Sequence, residues 1–154
     1  MRSQRAFQVL LVILALFVIV VGITDTLFGT APLPGDTSVS PEVDSNYRFF
    51  AAIFLAVGLL LLWVALDPLE RTRSLALWWV SGAVFLGGLA RIVSLVAAGS
   101  PAPLVYALLA LELVAPPVLV LWHRALTNRA RVAETGTTEA EITEAEDAES
   151  RVTE

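Results

Sequence analysis

Three consecutive stretches decide the fold: LALWWVSGAVFLGGLARIVSLVAA at residues 75–98, GSPAP at 99–103 and LVYALLALELVAPPVLVLW at 104–122. The first is an apolar run carrying one charge, Arg91. The third is an apolar run carrying one charge, Glu112. A helix rises about 1.5 Å per residue, so each run can cross, or nearly cross, a hydrocarbon layer about 30 Å thick. The uncharged Gly-Ser-Pro-Ala-Pro turn between them predicts an antiparallel helical hairpin. Lipid cannot satisfy exposed backbone groups, which favours helices. The runs also lack the alternation of a membrane barrel strand.

Working outward, two more runs of similar reach appear. Ala6–Ile23 has Gln8 as its strongly polar member, and Phe49–Leu66 has no charge. Helices are expected at about 6–24, 47–66, 75–98 and 103–123, within a transmembrane domain spanning residues 1–126. Residues 24–48 form the longest loop, broken by Pro32, Pro34, Gly35 and Pro41; residues 67–74 form a short turn. The reading is therefore an all-α, polytopic four-transmembrane-helix bundle. The first run has the shape of a signal peptide, but no small-x-small cleavage site follows Gly22 closely, so a retained helix is expected.

Composition agrees. Of 154 residues, 56% are apolar and 16% charged, against about 25% charged in a soluble domain. Mean hydropathy is +0.74. The absence of cysteine excludes disulfides and thiolate sites, and a single histidine excludes a histidine-rich metal site. No metal or other cofactor is expected. All basic residues are arginine. Residues 1–126 hold seven Arg and seven Asp or Glu, while residues 127–154 hold three Arg and eight Asp or Glu. The net charge of −5 thus belongs to the tail. No basic patch points to nucleic acid. Residues 127–154 have little to bury and read as a disordered acidic tail, with a transient helix over Glu139–Glu149.

Arginine placement orients the bundle. Arg2 and Arg5, Arg71 and Arg73, and Arg124, Arg129 and Arg131 fall on one side; the other side has Arg48 against Asp25, Asp36, Glu42 and Asp44. The positive-inside rule puts both termini and the 67–74 turn in the cytoplasm of a multi-pass cell-membrane protein. Trp63, Trp78, Trp79 and Trp122 fall near the same ends, as in a headgroup-level aromatic belt.

Arg91 and Glu112 carry the functional reading. A charge at mid-helix depth costs about 2.5–3.5 kcal/mol on insertion scales. Counted from the turn, Arg91 lies ~10 Å deep and Glu112 ~12 Å deep. An ion pair at one level would lower the cost of both. Such a pair can simply lock two helices together, or it can form a polar pocket. Asn46, Arg48 and Ser94 reach the same level, as do Thr24 and Asp25. Pro116 and Pro117 release the carbonyls of Glu112 and Leu113 beside that acid. Gly87, Gly88, Arg91, Ser94 and Ala98 fall near one helix face, and Ala52 and Ala56 make a small-xxx-small step; both are packing signals. Gln8, Ala15 and Gly22 recur every seven residues. His123, at the inner end of the fourth run, reads as interfacial. No Walker loop, dinucleotide-binding glycine pattern or HExxH occurs.

Asn46-Tyr47-Arg48-Phe49-Phe50 continuing to Gly58, Leu86-Gly87-Gly88-Leu89-Ala90-Arg91, the Gly99-x-Pro101 turn and Leu111-Glu112-Leu113 followed by Pro116 resemble one family. It is the domain of unknown function 4345 family, small four-helix prokaryotic membrane proteins. The resemblance covers about residues 5–125 and omits the tail. It implies a four-helix membrane fold with no activity attached. It maps family-typical polar positions onto Asn46, Arg48, Arg91 and Glu112 without assigning their roles. The expectation is a non-catalytic membrane protein, in contact with the lipid bilayer. Its outer-leaflet polar pocket, formed by Asn46, Arg48, Arg91, Ser94 and Glu112, would bind a small ligand, a lipid, or a partner membrane protein or second copy. The alternatives are an oligomeric carrier or proton-coupled transporter, and a lipid-modifying membrane enzyme.

Overall fold

A computed structural model describes residues 2–33, 39–99 and 102–152 of the chain, with backbone alone at 71, at 134 and beyond 136. The expected breakers Pro34 and Gly35, the acid Asp36 and the turn residues Ser100 and Pro101 lie outside the described residues. Among the described residues there are four helices: α1 (Arg2–Phe28), α2 (Pro41–Leu66), α3 (Arg71–Ala98) and α4 (Pro103–Val152). Each contains a segment long and apolar enough to cross a membrane.

Helices α2 and α3 begin earlier than their apolar runs, and side-chain caps hold their first turns. Ser40 caps α2, its Oγ accepting from the Val43 N–H at 3.5 Å, and Pro41 supplies a preset first turn. Glu70 caps α3 by accepting from the N–H groups of Thr72 at 2.9 Å and Arg73 at 3.0 Å. These bonds stabilise the ionised carboxylate and hold Glu70 below the usual carboxylate range. Helix α1 ends at Gly29, where φ is +61° and the N–H reaches the Asp25 carbonyl at 2.9 Å. That left-handed position suits glycine.

Helix α4 does not stop where the sequence reading ends the folded domain. Its backbone stays helical to Val152, about 75 Å from its start, where a disordered segment was expected from residue 127. The tail's many alanines and glutamates are good helix formers, so hydrogen bonding can continue along the chain without a packed core. Among the described residues, Leu126 is the last of α4 in the core, and Arg131, Val132, Ala133, Thr135 and Gly136 are exposed.

The core sits at one end. Phe7, Leu11 and Ala15 of α1 meet Leu61, Val64 and Ala65 of α2, Leu77 and Val80 of α3, and Leu119 and Leu126 of α4. These positions bring together the start of α1, the end of α2, the start of α3 and the middle of α4. Phe7, Leu11 and Ala15 are wholly buried, so α1 is integral to the bundle. This end carries Arg2, Arg5, Arg73 and Arg124 and is called the arginine-rich end. Arg73 lies over the Trp63 ring at 5.1 Å, and Arg124 over Trp78 at 4.5 Å.

Towards the opposite, far end the bundle separates into two hairpins. Helix α1 packs most closely on α2, and α3 on α4; α2 touches α3 less, and α1 touches α4 least. Glycines explain the close pairs. A Cβ on Gly22 would lie 2.8 Å from the Leu55 backbone, and one on Gly58 would lie 3.0 Å from the Ile19 backbone nitrogen. A Cβ on Gly88 would sit 2.9 Å from Leu113 Cδ2 and 3.2 Å from Glu112 Cβ. Small residues allow such backbone approach, and the resulting dispersion attraction holds apolar helices together. Between the hairpins the fold leaves two side grooves. One, of about 580 Å³, lies between α2 and α3; the other, of about 460 Å³, lies between α1 and α4.

Candidate functional site: a lateral groove ending in an ion pair

The α2–α3 groove follows from helical periodicity. Phe50, Phe54 and Val57 recur at three- and four-residue spacing along one face of α2, opposite Val84, Gly87 and Ala90 of α3. Its far end is polar, closed by Arg91 and Ser94 of α3 and Glu112 of α4. Gly87 widens it, because a Cβ built there would meet no atom within 4 Å. Gly87 and Gly88 therefore do different things. Gly88 lets α3 approach α4, while Gly87 leaves room on the α2 side.

Arg91 and Glu112 form the expected ion pair. Arg91 Nε donates to Glu112 Oε2 at 2.7 Å. The short connection and the Gly88 contact fix the antiparallel register that levels the two residues. The Arg91 side chain is 40% exposed and that of Glu112 15%. Arg91 is thus the more accessible member of the pair, and both residues line the groove.

Asp25 of α1 and Tyr47 of α2 are both half-buried, and neither is among the described residues that line the groove.

The other anticipated residues are distributed differently. Arg48 turns away from the pair. Its Nε donates to Asp44 Oδ2 at 2.7 Å, and its Nη1 donates to the carbonyls of Thr26 at 2.9 Å and Leu27 at 2.7 Å. It binds the last carbonyls of α1, where a cation also complements the helix dipole. Asp44 Oδ1 accepts from the Thr30 N–H at 3.3 Å, completing a clasp between α1 and α2. Asn46 is exposed, and no hydrogen bond joins it to Arg91 or Glu112. Ser94 is exposed at the groove's polar end.

Residues 6–123 match a family model described as a domain of unknown function. The chain belongs to the DUF4345 family. The match takes in the groove, the ion pair and the Arg48 clasp of this DUF4345 chain, and stops just short of the region where α4 leaves the packed core. No curated protein and no solved structure matches it.

The arginine-rich end holds a further polar cluster of this DUF4345 chain. His123 is 2% exposed rather than interfacial. Its Nε2 lies 2.9 Å from the Pro68 carbonyl and 3.0 Å from Ser74 Oγ. A carbonyl can only accept, so Nε2 carries the hydrogen. His123 Nδ1 is buried with no hydrogen-bond partner among the described residues. Trp122 Nε1 donates to Ser3 Oγ at 3.2 Å, and its ring meets Phe7 edge-on at 5.4 Å. This cluster ties α4 to α1 and to the α2–α3 turn. Among the described residues, no group of three His, Asp or Glu side chains is arranged to hold a metal ion.

Proposed function

We propose that the chain is a small multi-pass membrane protein with both termini in the cytoplasm, whose α2–α3 groove opens sideways into the outer leaflet and binds an amphiphile without altering it. The α2–α3 groove carries this reading: its wall is apolar, and its polar groups, Arg91, Ser94 and Glu112, gather at one end. That polarity gradient suits a molecule with an apolar chain and a polar head. Its volume of about 580 Å³ falls within the roughly 300–1,000 Å³ of small-ligand sites. Three arginine-bearing segments at one end support the orientation. A binding role is favoured over catalysis because Glu112 is engaged by Arg91, and no nucleophile with an adjacent base lines the groove among the described residues.

Two measurements test the proposal. Gly87→Leu fills the groove from a position where a side chain meets open space, so the fold should survive. Wild-type protein purified in mild detergent should retain about one more equivalent of amphiphile than this variant. Equal retention by the two proteins would refute groove binding. A reporter active only outside the cytoplasm, fused after Glu154, should stay silent; activity would reverse the orientation.

A further inference from the structure

We infer that the groove selects a neutral lipid whose head is a free hydroxyl group, such as a diacylglycerol, over lipids with a charged head. The inference rests on the groove-binding reading above and names the class of the occupant. Two observations carry it: the polar end has no net charge, and it lies well inside the end of α3.

The charges at the polar end cancel. Arg91 and Glu112 are the charged residues of the groove's described lining, and Ser94 is its remaining polar side chain. The ion pair is already closed at 2.7 Å. A phosphate would have to compete with Glu112 for the guanidinium while lying beside the carboxylate. An ammonium group would have to compete with Arg91 for Glu112 while lying beside the guanidinium. A hydroxyl both donates and accepts. A guanidinium has several N–H donors and a carboxylate several acceptor sites, so the Nε–Oε2 bond leaves capacity on both. One hydroxyl can therefore accept from Arg91 and donate to Glu112 or Ser94 Oγ while the ion pair stays closed.

Depth adds the second constraint. Arg91 lies seven residues before Ala98, where α3 ends, and so sits about 10 Å inside that end. Ser94, nearly one turn closer, sits about 6 Å inside it. A head drawn to this level leaves the aqueous interface. Removing a charge from water costs far more than removing a hydroxyl, and a closed pair has no net charge to offset it. The cost for a hydroxyl is met by the hydrogen bonds on offer there. One acyl chain then lies along Phe50, Phe54 and Val57, opposite Val84 and Gly87.

The test uses full-length protein in phosphatidylcholine nanodiscs. Four photoactivatable lipids with identical chains are added separately in trace amounts. They are a diacylglycerol, the diacylpropanediol that lacks its hydroxyl, a phosphatidic acid and a trimethylammonium-propane lipid. Cross-links to Phe50, Phe54 and Val84 are mapped by mass spectrometry. Each yield is divided by that at Leu14 and Val114 of the α1–α4 groove, whose described lining is wholly apolar. This ratio removes differences in how deeply each lipid sits in the bilayer. Diacylglycerol should give a ratio about tenfold above the other three, as a hydrogen-bonded head would. Gly87→Leu should lower it. Arg91→Leu with Glu112→Leu removes both charges together and should bring diacylglycerol down to the diacylpropanediol value.

A diacylglycerol ratio no higher than that of any one of the other lipids, with Gly87→Leu still lowering the labelling, would overturn the head-group inference and leave groove binding intact. So would an advantage that survives in the double variant. The ranking on the unaltered protein is decisive even where the double variant fails to fold. Ratios unchanged by Gly87→Leu for every lipid would overturn groove binding itself.

Discussion

Replacing Arg91 or Glu112 by leucine, singly and together, measures what the ion pair contributes. Breaking one side of a fully buried pair costs about 3–5 kcal/mol, whereas an exposed pair contributes about 0–1 kcal/mol. The 2.7 Å bond has one partner 15% exposed and the other 40% exposed, which places it between these limits. A coupling of about 2 kcal/mol follows as the intermediate value. The two single changes should be unequal. Arg91→Leu strands the more enclosed Glu112 carboxylate, whereas Glu112→Leu leaves an arginine whose head can reach water or lipid head groups. Arg91→Leu should therefore cost more, and the double variant less than the sum of the singles. The assay is reversible unfolding in mixed micelles, with all four proteins combined in a double-mutant cycle. Additivity within about 0.5 kcal/mol would refute the coupling, and with it the role assigned to the matched depth of the two charges.

Four further outcomes follow. Gly22→Leu and Gly58→Leu should each destabilise the protein by at least about 1–3 kcal/mol through overpacking of α1 on α2, while Gly87→Leu should be nearly neutral; thermal melts in detergent check the contrast. His123→Ala should cost about 1–3 kcal/mol by removing the partner of the buried Pro68 carbonyl, and protease cutting near the 67–74 turn should rise with it. Glu70 has a lowered pKa, so its capping stabilisation is present above its unfolded-state value and disappears as pH falls through the folded-state value; Glu70→Gln should flatten that part of an acid melting series. Deleting residues 137–154 should leave the melting temperature unchanged, because among the described residues Leu126 is the last to pack into the core.

The Arg91–Glu112 pair was legible because two constraints acted together. Each charge was costly within an apolar run, and the short turn at 99–103 fixed their relative level. Arg48 was legible as a polar residue at a helix start, but its partners were not. They lie across a long connection whose path sequence spacing does not determine. His123 misled for the same reason. Position at a helix end suggests solvation, yet Pro68, Ser74 and Phe7 arrive from elsewhere in the bundle and enclose it.

The sequence by itself determined the number of helices, the apolar segment of each and the pairing of α3 with α4. These follow from run length, the cost of exposing backbone groups in lipid, and a turn too short for any other return. It also located the arginine-rich end, because charge sign is a property of residues rather than of packing. The tertiary structure alone decided which glycines close a helix pair and which leave a groove. Gly87 and Gly88 are adjacent and chemically identical, but about 100° of helical rotation points one position towards α2 and the other into α4. It also decided that the hairpins join at one end and part at the other, since that depends on how four side-chain surfaces fill shared space.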